Sequence, residues 1–331
     1  MRAIKSRNGA AVVVDLPEPE IKPQYVKVKI HYSSVSIGTE LLMIRTNPEA
    51  ALGYSAAGVV IQVGEGVTHI KPGDRVACYG TPAHREIMLS PKHLAVKIPD
   101  GVSMQEAAFS GIGAIAIHAL RQADLTFGES VVVQGVGILG QIIAAIAHAS
   151  NFRVIGLDPI AERREKLLEA GIRYAYGSAD EIGTALKTAT IGGKGADAVL
   201  VCASNRSHSH IDTAIGWLRD RGKIVVVGDT GCDFNRDLLF AKEASVHISR
   251  AGGPGRYEAD YEQLGFDYPI GYIRWTEGRN IGDFLRMIDE RRIDIASLIT
   301  DEVSFEALPE LYERYEREPN KMLGIVVRFH D

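Results

Sequence analysis

Residues Val131-Val132-Val133-Gln134-Gly135-Val136-Gly137-Ile138-Leu139-Gly140 run from a β-branched stretch into three glycines at the Gly-x-Gly-x-x-Gly spacing, and an Ala- and Ile-rich segment follows directly. Each glycine has its own task in such a loop. Gly135 permits the tight turn, Gly137 lets the backbone come close to a pyrophosphate, and Gly140 lets the next helix pack on the strand. The helix then turns its first amides toward the phosphates. Val136, Ile138 and Leu139 complete the backbone that faces the cofactor. A second apolar run, 153–157, ends in Asp158, close to the spacing of about 20 residues at which the acid of a dinucleotide site stands. A carboxylate there takes both ribose hydroxyls of an adenosine and repels a 2′-phosphate, so the unit predicts NAD. Arg163 and Arg164 follow shortly and keep NADP open; their other reading is a helix-face pairing with Glu162 and Glu165.

At 331 residues the chain exceeds the size at which one core usually splits, so two domains are expected. The hydrophobic share of 46% and charged share of 24% are those of a soluble globular protein. A net charge of −5, with scattered basic residues, argues against nucleic acid and anionic membranes and leaves a small-molecule substrate. The N-terminus does not resemble a signal peptide. The longest apolar stretch, 138–149, is interrupted by Gly140, Gln141 and His148 and is too short to span a bilayer, so a cytoplasmic protein is expected. Cys78, Cys202 and Cys232 form no Cys-x-x-Cys pair, which speaks against a thiolate zinc site and against disulfides. In Ser207-His208-Ser209-His210 stands the only close histidine pair, where a loop and helix start are expected.

The first hundred residues alternate short apolar runs (11–14, 25–30, 58–63, 74–77, 86–89, 94–98) with turns such as Gly64-Glu65-Gly66 and Lys71-Pro72-Gly73-Asp74. That spacing predicts a β-rich domain. Helical periodicity runs from Met104 through Ala123, and strands at 130–134, 153–157, 172–176, 197–202, 223–228 and 245–249 then alternate with helices. The class is α/β, with a doubly wound, parallel, six-stranded sheet. Cys202-Ala203-Ser204 and Gly228-Asp229 fall at carboxyl ends of its strands, where the crevice of such a sheet binds its ligand. After Arg250, a glycine- and tyrosine-rich segment holding Tyr257, Arg274 and Trp275 reads as a lid or substrate loop, or alternatively as a subunit contact. Helices at 281–290 and 307–317 and a strand at 324–329 close the chain.

The phrases Gly53-Tyr54-Ser55-Ala56-Ala57-Gly58-Val59-Val60, Val63-Gly64-Glu65-Gly66-Val67 and Lys71-Pro72-Gly73-Asp74-Arg75-Val76, with the glycine loop and Lys242-Glu243, resemble the medium-chain dehydrogenase/reductase superfamily. The resemblance implies a GroES-like catalytic domain, residues 1–112 with 253–331, and a Rossmann domain, residues 113–252. It also implies dimers or tetramers built through Rossmann edge strands. The departures carry as much meaning. Alcohol dehydrogenases of this superfamily hold catalytic zinc with a Cys in a Cys-Gly-Thr-Asp phrase and a His in a Gly-His-Glu phrase; here stand Ile37-Gly38-Thr39-Glu40 and Gly53-Tyr54-Ser55. Neither Ile nor Tyr is a zinc ligand at neutral pH. The cysteine cluster of the structural zinc lobe is missing too, so the chain resembles a zinc-independent member.

Ser36-Ile37-Gly38-Thr39-Glu40 and the stretch from Gly253 to Glu277 further resemble bacterial oxidoreductases associated with sugar or cyclitol modification, with Ser36 a substrate candidate. Without zinc, a hydroxyl must polarise the developing alkoxide and take its proton. Tyr54 is expected as general acid/base and Thr39 as relay; the alternative for Tyr54 is a ring that fills vacated volume. Glu40 is expected to accept a hydrogen bond from Tyr54 or to contact substrate hydroxyls. His84 and His118 are further acid/base candidates, His118 reading better as a core histidine. The leading expectation is an NAD-dependent dehydrogenase of a secondary alcohol on a sugar, cyclitol or polyol. The alternatives are an NADPH-dependent quinone or activated-alkene reductase and a non-catalytic dinucleotide-binding sensor.

Overall fold

The computed structural model describes residues 1–80, 82–204 and 209–330, and the chain divides into two compact units, Met1–Ala114 with Gly252–Asp331, and Ile115–Ala251. The first unit opens with an antiparallel hairpin of β1 (Arg2–Arg7) and β2 (Ala10–Asp15). It continues through β3 (Tyr25–Ser34), β4 (Ser55–Val63), β5 (Arg75–Tyr79), β6 (Ile87–Pro91) and β7 (Ala95–Lys97). The second unit contributes β8 (Ser130–Gln134), β9 (Arg153–Leu157), β10 (Tyr174–Tyr176), β11 (Ala196–Val201), β12 (Leu218–Val226) and β13 (Ser245–Ile248). The chain then returns to the first unit with β14 (Ile299–Ser304) and β15 (Gly324–Arg328).

In the second unit six parallel strands stand in the order β10-β9-β8-β11-β12-β13. This is the doubly wound order, and its reversal between β8 and β11 opens the ligand crevice at their carboxyl ends. Strands covered on both faces must be apolar throughout, as Val131, Val132, Val133, Val199, Leu200 and Val201 are, each fully buried. The helix Ile138–Ala149 lies over β8 and β9 and buries Ile142, Ile143 and Ile146. Its approach depends on Gly140, where a Cβ would stand 2.1 Å from the Gly135 carbonyl oxygen.

In the first unit a seven-stranded sheet runs β14-β15-β3-β4-β5-β7, with β6 paired to β3. Val26, Val28, Ile30, Val60, Val76, Ile325 and Phe305 form its core. Two strands were not expected. Only Ala3 and Ile4 of β1 are apolar, and its pairing with β2 supplies what periodicity does not. Polar and charged residues dominate β14, an edge strand, where such residues are common. The helical run from Met104 divides into Met104–Ala107, closed by a Ser103–Glu106 capping box, and Ser110–Ala123. The phrase around Thr39 forms an unforeseen helix, Ile37–Thr46. No described helix is long and apolar enough to cross a membrane.

Candidate active site

The glycine loop takes the expected form. Gly135 adopts φ +91°, and a Cβ there would meet the Ala203 backbone nitrogen at 2.8 Å, so the end of β11 crosses against the loop. Cys202 and Ala203 donate their backbone N–H groups to the Gln134 carbonyl. Gly137 caps the helix, and the nearest neighbour a Cβ there would meet is Arg163 Nη1 at 3.8 Å, so its surface is open to a ligand. Gln141, which sequence reasoning passed over, is buried and donates to the carbonyls of Val136 and Arg163, bracing the loop from behind. Gln134 contacts His210 Nδ1 at 2.9 Å across the same crevice. Ser207 and His208 lie outside the described residues.

Asp158 stands at the end of β9. Its carboxylate accepts from the backbone N–H of Val136 at 2.9 Å and of Ile160 at 3.0 Å, which ties it to the glycine loop. Arg163 Nη1 lies 3.4 Å from the same group. Arg164 donates to the Asp158 and Pro159 carbonyls. Both arginines thus turn back onto the loop after β9, which corrects their reading as partners of Glu162 and Glu165. These residues fit a nicotinamide dinucleotide: the loop amides and helix start would hold the pyrophosphate and Asp158 the adenosine ribose. Cys202, Ala203, Ser204, Gly228 and Asp229 stand at the strand ends that border the crevice. Burial pushes the Cys202 thiol up to about 12, so it is a neutral thiol.

In the first unit, Tyr54 Oη donates to Ser36 Oγ at 2.8 Å, and Ser36 Oγ donates to Thr39 Oγ1 at 3.3 Å. The line of hydroxyls ends at Thr39, which is exposed. Burial, with Glu40 nearby, holds the Tyr54 phenol well above its ordinary pKa against the opposing effect of the Ser36 bond. Tyr54 is therefore a neutral hydroxyl at neutral pH.

Glu40 departs from expectation. It is fully buried and does not accept from Tyr54 or face a substrate. Its carboxylate accepts from the Ser36 backbone N–H at 2.8 Å and from the Tyr312 hydroxyl, and it faces His84 Nε2 at 3.0 Å. Burial alone would raise its pKa, but His84, Tyr312 and the Ser36 amide together hold it below the ordinary carboxylate value. His84 is 1% exposed, and its Nδ1 lies 2.7 Å from Ser33 Oγ. With both ring nitrogens committed inside the core, His84 is a brace and not a group open to substrate. Ser33 and Tyr312 were not legible as site residues, because their partners are distant in sequence. His118 is likewise buried, and burial lowers its pKa.

Tyr79 lies edge-to-face on Tyr54, with ring centroids 5.9 Å apart. The Arg256 guanidinium lies over both Tyr79 and Tyr257. Tyr257 thus joins the Tyr54 cluster, whereas Arg274 is exposed and Trp275 partly buried on the irregular stretch before the helix Glu277–Asp289. Ile37 packs on the core of the first unit. A hydrocarbon there and a protonated phenol at Tyr54 are not a zinc donor set, and among the described residues no three His, Cys, Asp or Glu side chains gather to hold a metal.

A dinucleotide crevice in a doubly wound sheet, carried with a separate antiparallel β unit, defines a nicotinamide-dependent oxidoreductase. Residues 22–127 match the alcohol dehydrogenase GroES-like domain, and residues 139–265 match the zinc-binding dehydrogenase family. The chain belongs to the medium-chain dehydrogenase/reductase superfamily as an alcohol dehydrogenase-like member, and it is an NAD(P)-dependent oxidoreductase of that type. It is 26% identical to sorbitol dehydrogenase from Halalkalibacterium halodurans, over 93% of this chain and 94% of the relative. It is also 26% identical to D-guloside 3-dehydrogenase from Escherichia coli, over 96% and 97%. The alcohol dehydrogenase from Thermus sp. ATN1 superposes with a TM-score of 0.83 at 21% identity, over 100% of both chains.

Proposed function

We propose that the protein oxidises, with NAD, a secondary alcohol on a sugar, cyclitol or other polyol, and that it does so without zinc. The observation that carries this reading is the hydroxyl line from Tyr54 through Ser36 to Thr39. The names of the polyol and guloside dehydrogenases among its relatives support the substrate class. A bound nicotinamide supplies the hydride acceptor. Tyr54 Oη then meets the substrate hydroxyl and stabilises the alkoxide as charge develops, while Ser36 and Thr39 carry the proton toward solvent. Glu40 fixes Ser36 through its amide, and His84 and Tyr312 fix Glu40. A cytoplasmic location and a homodimer or homotetramer belong to the same proposal.

The test is elemental analysis of the purified protein together with an alcohol panel. Less than about one tenth of an equivalent of zinc, with chelator-insensitive NAD-linked oxidation of a polyol, supports the reading. One stoichiometric zinc overturns its metal-free part. One observation favours a second reading: Arg163, 3.4 Å from the Asp158 carboxylate, offsets the charge that excludes a 2′-phosphate. NADPH-dependent reduction of a quinone or activated alkene, with alcohols inert, would put that reading first.

A further inference from the structure

Tyr257 stands in a left-handed backbone conformation, φ +64°, which is costly for a bulky residue and tolerated where surrounding structure enforces it. Here Glu262 enforces it. Its Oε1 accepts from the Tyr257 backbone N–H at 2.9 Å and from Arg256 Nη1 at 2.6 Å. The Arg256 guanidinium, on a side chain only 12% exposed, lies 4.1 Å from the Tyr257 ring centroid and 5.3 Å from that of Tyr79. Tyr79 in turn meets Tyr54 at 5.9 Å. Four planar groups in contact therefore lead from Tyr54 to Tyr257. Behind the stack sits Glu277, fully buried, its carboxyl 4.0 Å from Arg256 Nε. Burial raises that carboxyl to about 9, so at neutral pH it is uncharged and leaves Arg256 to Glu262 and the two rings.

The Tyr257 ring, backed by Arg256, is nonetheless 60% exposed for the residue as a whole. We propose that Tyr257 is a stacking platform for the ring of a cyclic alcohol, a pyranoside or cyclitol, whose hydroxyl is thereby presented to Tyr54. This rests on the alcohol-oxidation reading above and narrows its substrate class. A ring polyol has a flat C–H face with its hydroxyls at the rim, which suits an aromatic surface; an open-chain polyol presents no such face. The strain at Tyr257 has a local physical use under this assignment, because it aims the ring while Glu262 holds the turn.

The test uses the full-length protein loaded with NAD, two variants, and two readouts. Saturation-transfer NMR with methyl pyranosides and a cyclitol, against a linear hexitol, reads ring contact without turnover; steady-state kinetics with the same panel reads selectivity. Tyr257→Phe should keep the ring signals. Tyr257→Gly, which keeps the left-handed turn open to the backbone and whose folding is checked by thermal melting, should reduce them at least threefold. It should also raise KM for ring alcohols at least tenfold, with kcat within threefold and linear substrates unaffected. Equal ring signals in wild type and Tyr257→Gly, or an equal loss for linear substrates, overturns the platform. If ring signals vanish in Tyr257→Gly while wild type oxidises no alcohol with either nucleotide, the platform stands and the hydride reading falls. If alcohols are oxidised and Tyr257→Gly changes nothing, the reverse holds.

Discussion

Tyr54 Oη and Ser36 Oγ stand 2.8 Å apart, with the phenol donating. The relationship inverts the expected partnership of Tyr54 with Glu40. Ser36 instead accepts the phenol's hydrogen bond and donates on to Thr39, while Glu40 holds the Ser36 amide from inside the core. Tyr54→Phe keeps the ring and removes the hydroxyl. Turnover should fall at least tenfold with nucleotide affinity unchanged. Ser36→Ala should lower kcat less than Tyr54→Phe does and shift the alkaline limb of the pH profile. Near-normal turnover of Tyr54→Phe would take the phenol out of the reaction.

Asp158 and Arg163 share one corner of the nucleotide crevice. Fluorescence titration of wild type should show tighter NADH than NADPH binding, and Asp158→Ala should lose that preference, since it removes the ribose acceptor and exposes Arg163 to a phosphate. Arg163→Ala should weaken NADPH at least fivefold and leave NADH within twofold. NADPH preference in wild type would mean that Arg163 outweighs Asp158.

Glu40 is held below its ordinary pKa in the folded chain by His84, Tyr312 and Ser36, which outweigh burial. A depressed folded pKa means that the unfolded chain binds more protons in acid. The stabilisation is fully present above the ordinary value near 4.5, begins to be lost below it and is gone once pH has fallen through the lower folded value. Thermal melts from pH 7 to 3.5 should show a steep loss in wild type and a shallower one in Glu40→Gln. At pH 7 the variant should be destabilised by about 3 kcal/mol, because one member of a buried network loses its charge. Parallel melting curves would assign the acid sensitivity elsewhere.

Glu277 gives the opposite sign. Its folded pKa, raised to about 9 by burial, lies above the ordinary 4.5, so the folded state holds the extra proton. That contribution is complete below 4.5 and declines as pH rises toward 9. Glu277→Gln keeps the shape without the titration. Its melting temperature should exceed that of wild type at pH 9 by several degrees and differ little at pH 5. A constant difference across that range would show that Glu277 does not titrate in the folded chain.

The edge strand β13 carries Ile248, 61% exposed. If the proposed oligomer forms along this edge, Ile248→Lys should shift light-scattering mass toward the monomer. An unchanged mass would move the interface away from β13.

The second unit was largely legible in the sequence because its signals are local. Parallel strands buried on both faces must be continuous apolar runs, and 130–134 and 153–157 were read with the bounds that β8 and β9 have. Gly135, Gly137 and Gly140 carry backbone requirements that no other residue meets as well, so they spoke for the loop between strand and helix. The edges were less legible. β1 and β14 are held by pairing and not by pattern, and β12 begins at Leu218, ahead of its apolar centre.

The first unit divided in the same way. From residue types alone, Ile37 and Tyr54 spoke against a zinc ligand set, since the chemistry of a side chain does not depend on its neighbours in space. Which hydroxyl Tyr54 would meet did depend on them. Glu40 takes the Ser36 amide from the start of its own helix, and is drawn to His84 and Tyr312, groups brought in from the β5–β6 connection and the C-terminal segment. Likewise Tyr257 and Tyr54 are joined only through Arg256 and Tyr79. The sequence by itself determined the fold class and the glycine loop, because strand burial and turn geometry are written in adjacent residues. Only the tertiary structure decided that Ser36 accepts the Tyr54 hydrogen bond and that His84 is a brace, because buried polar groups take whichever partners long-range packing brings within hydrogen-bonding distance.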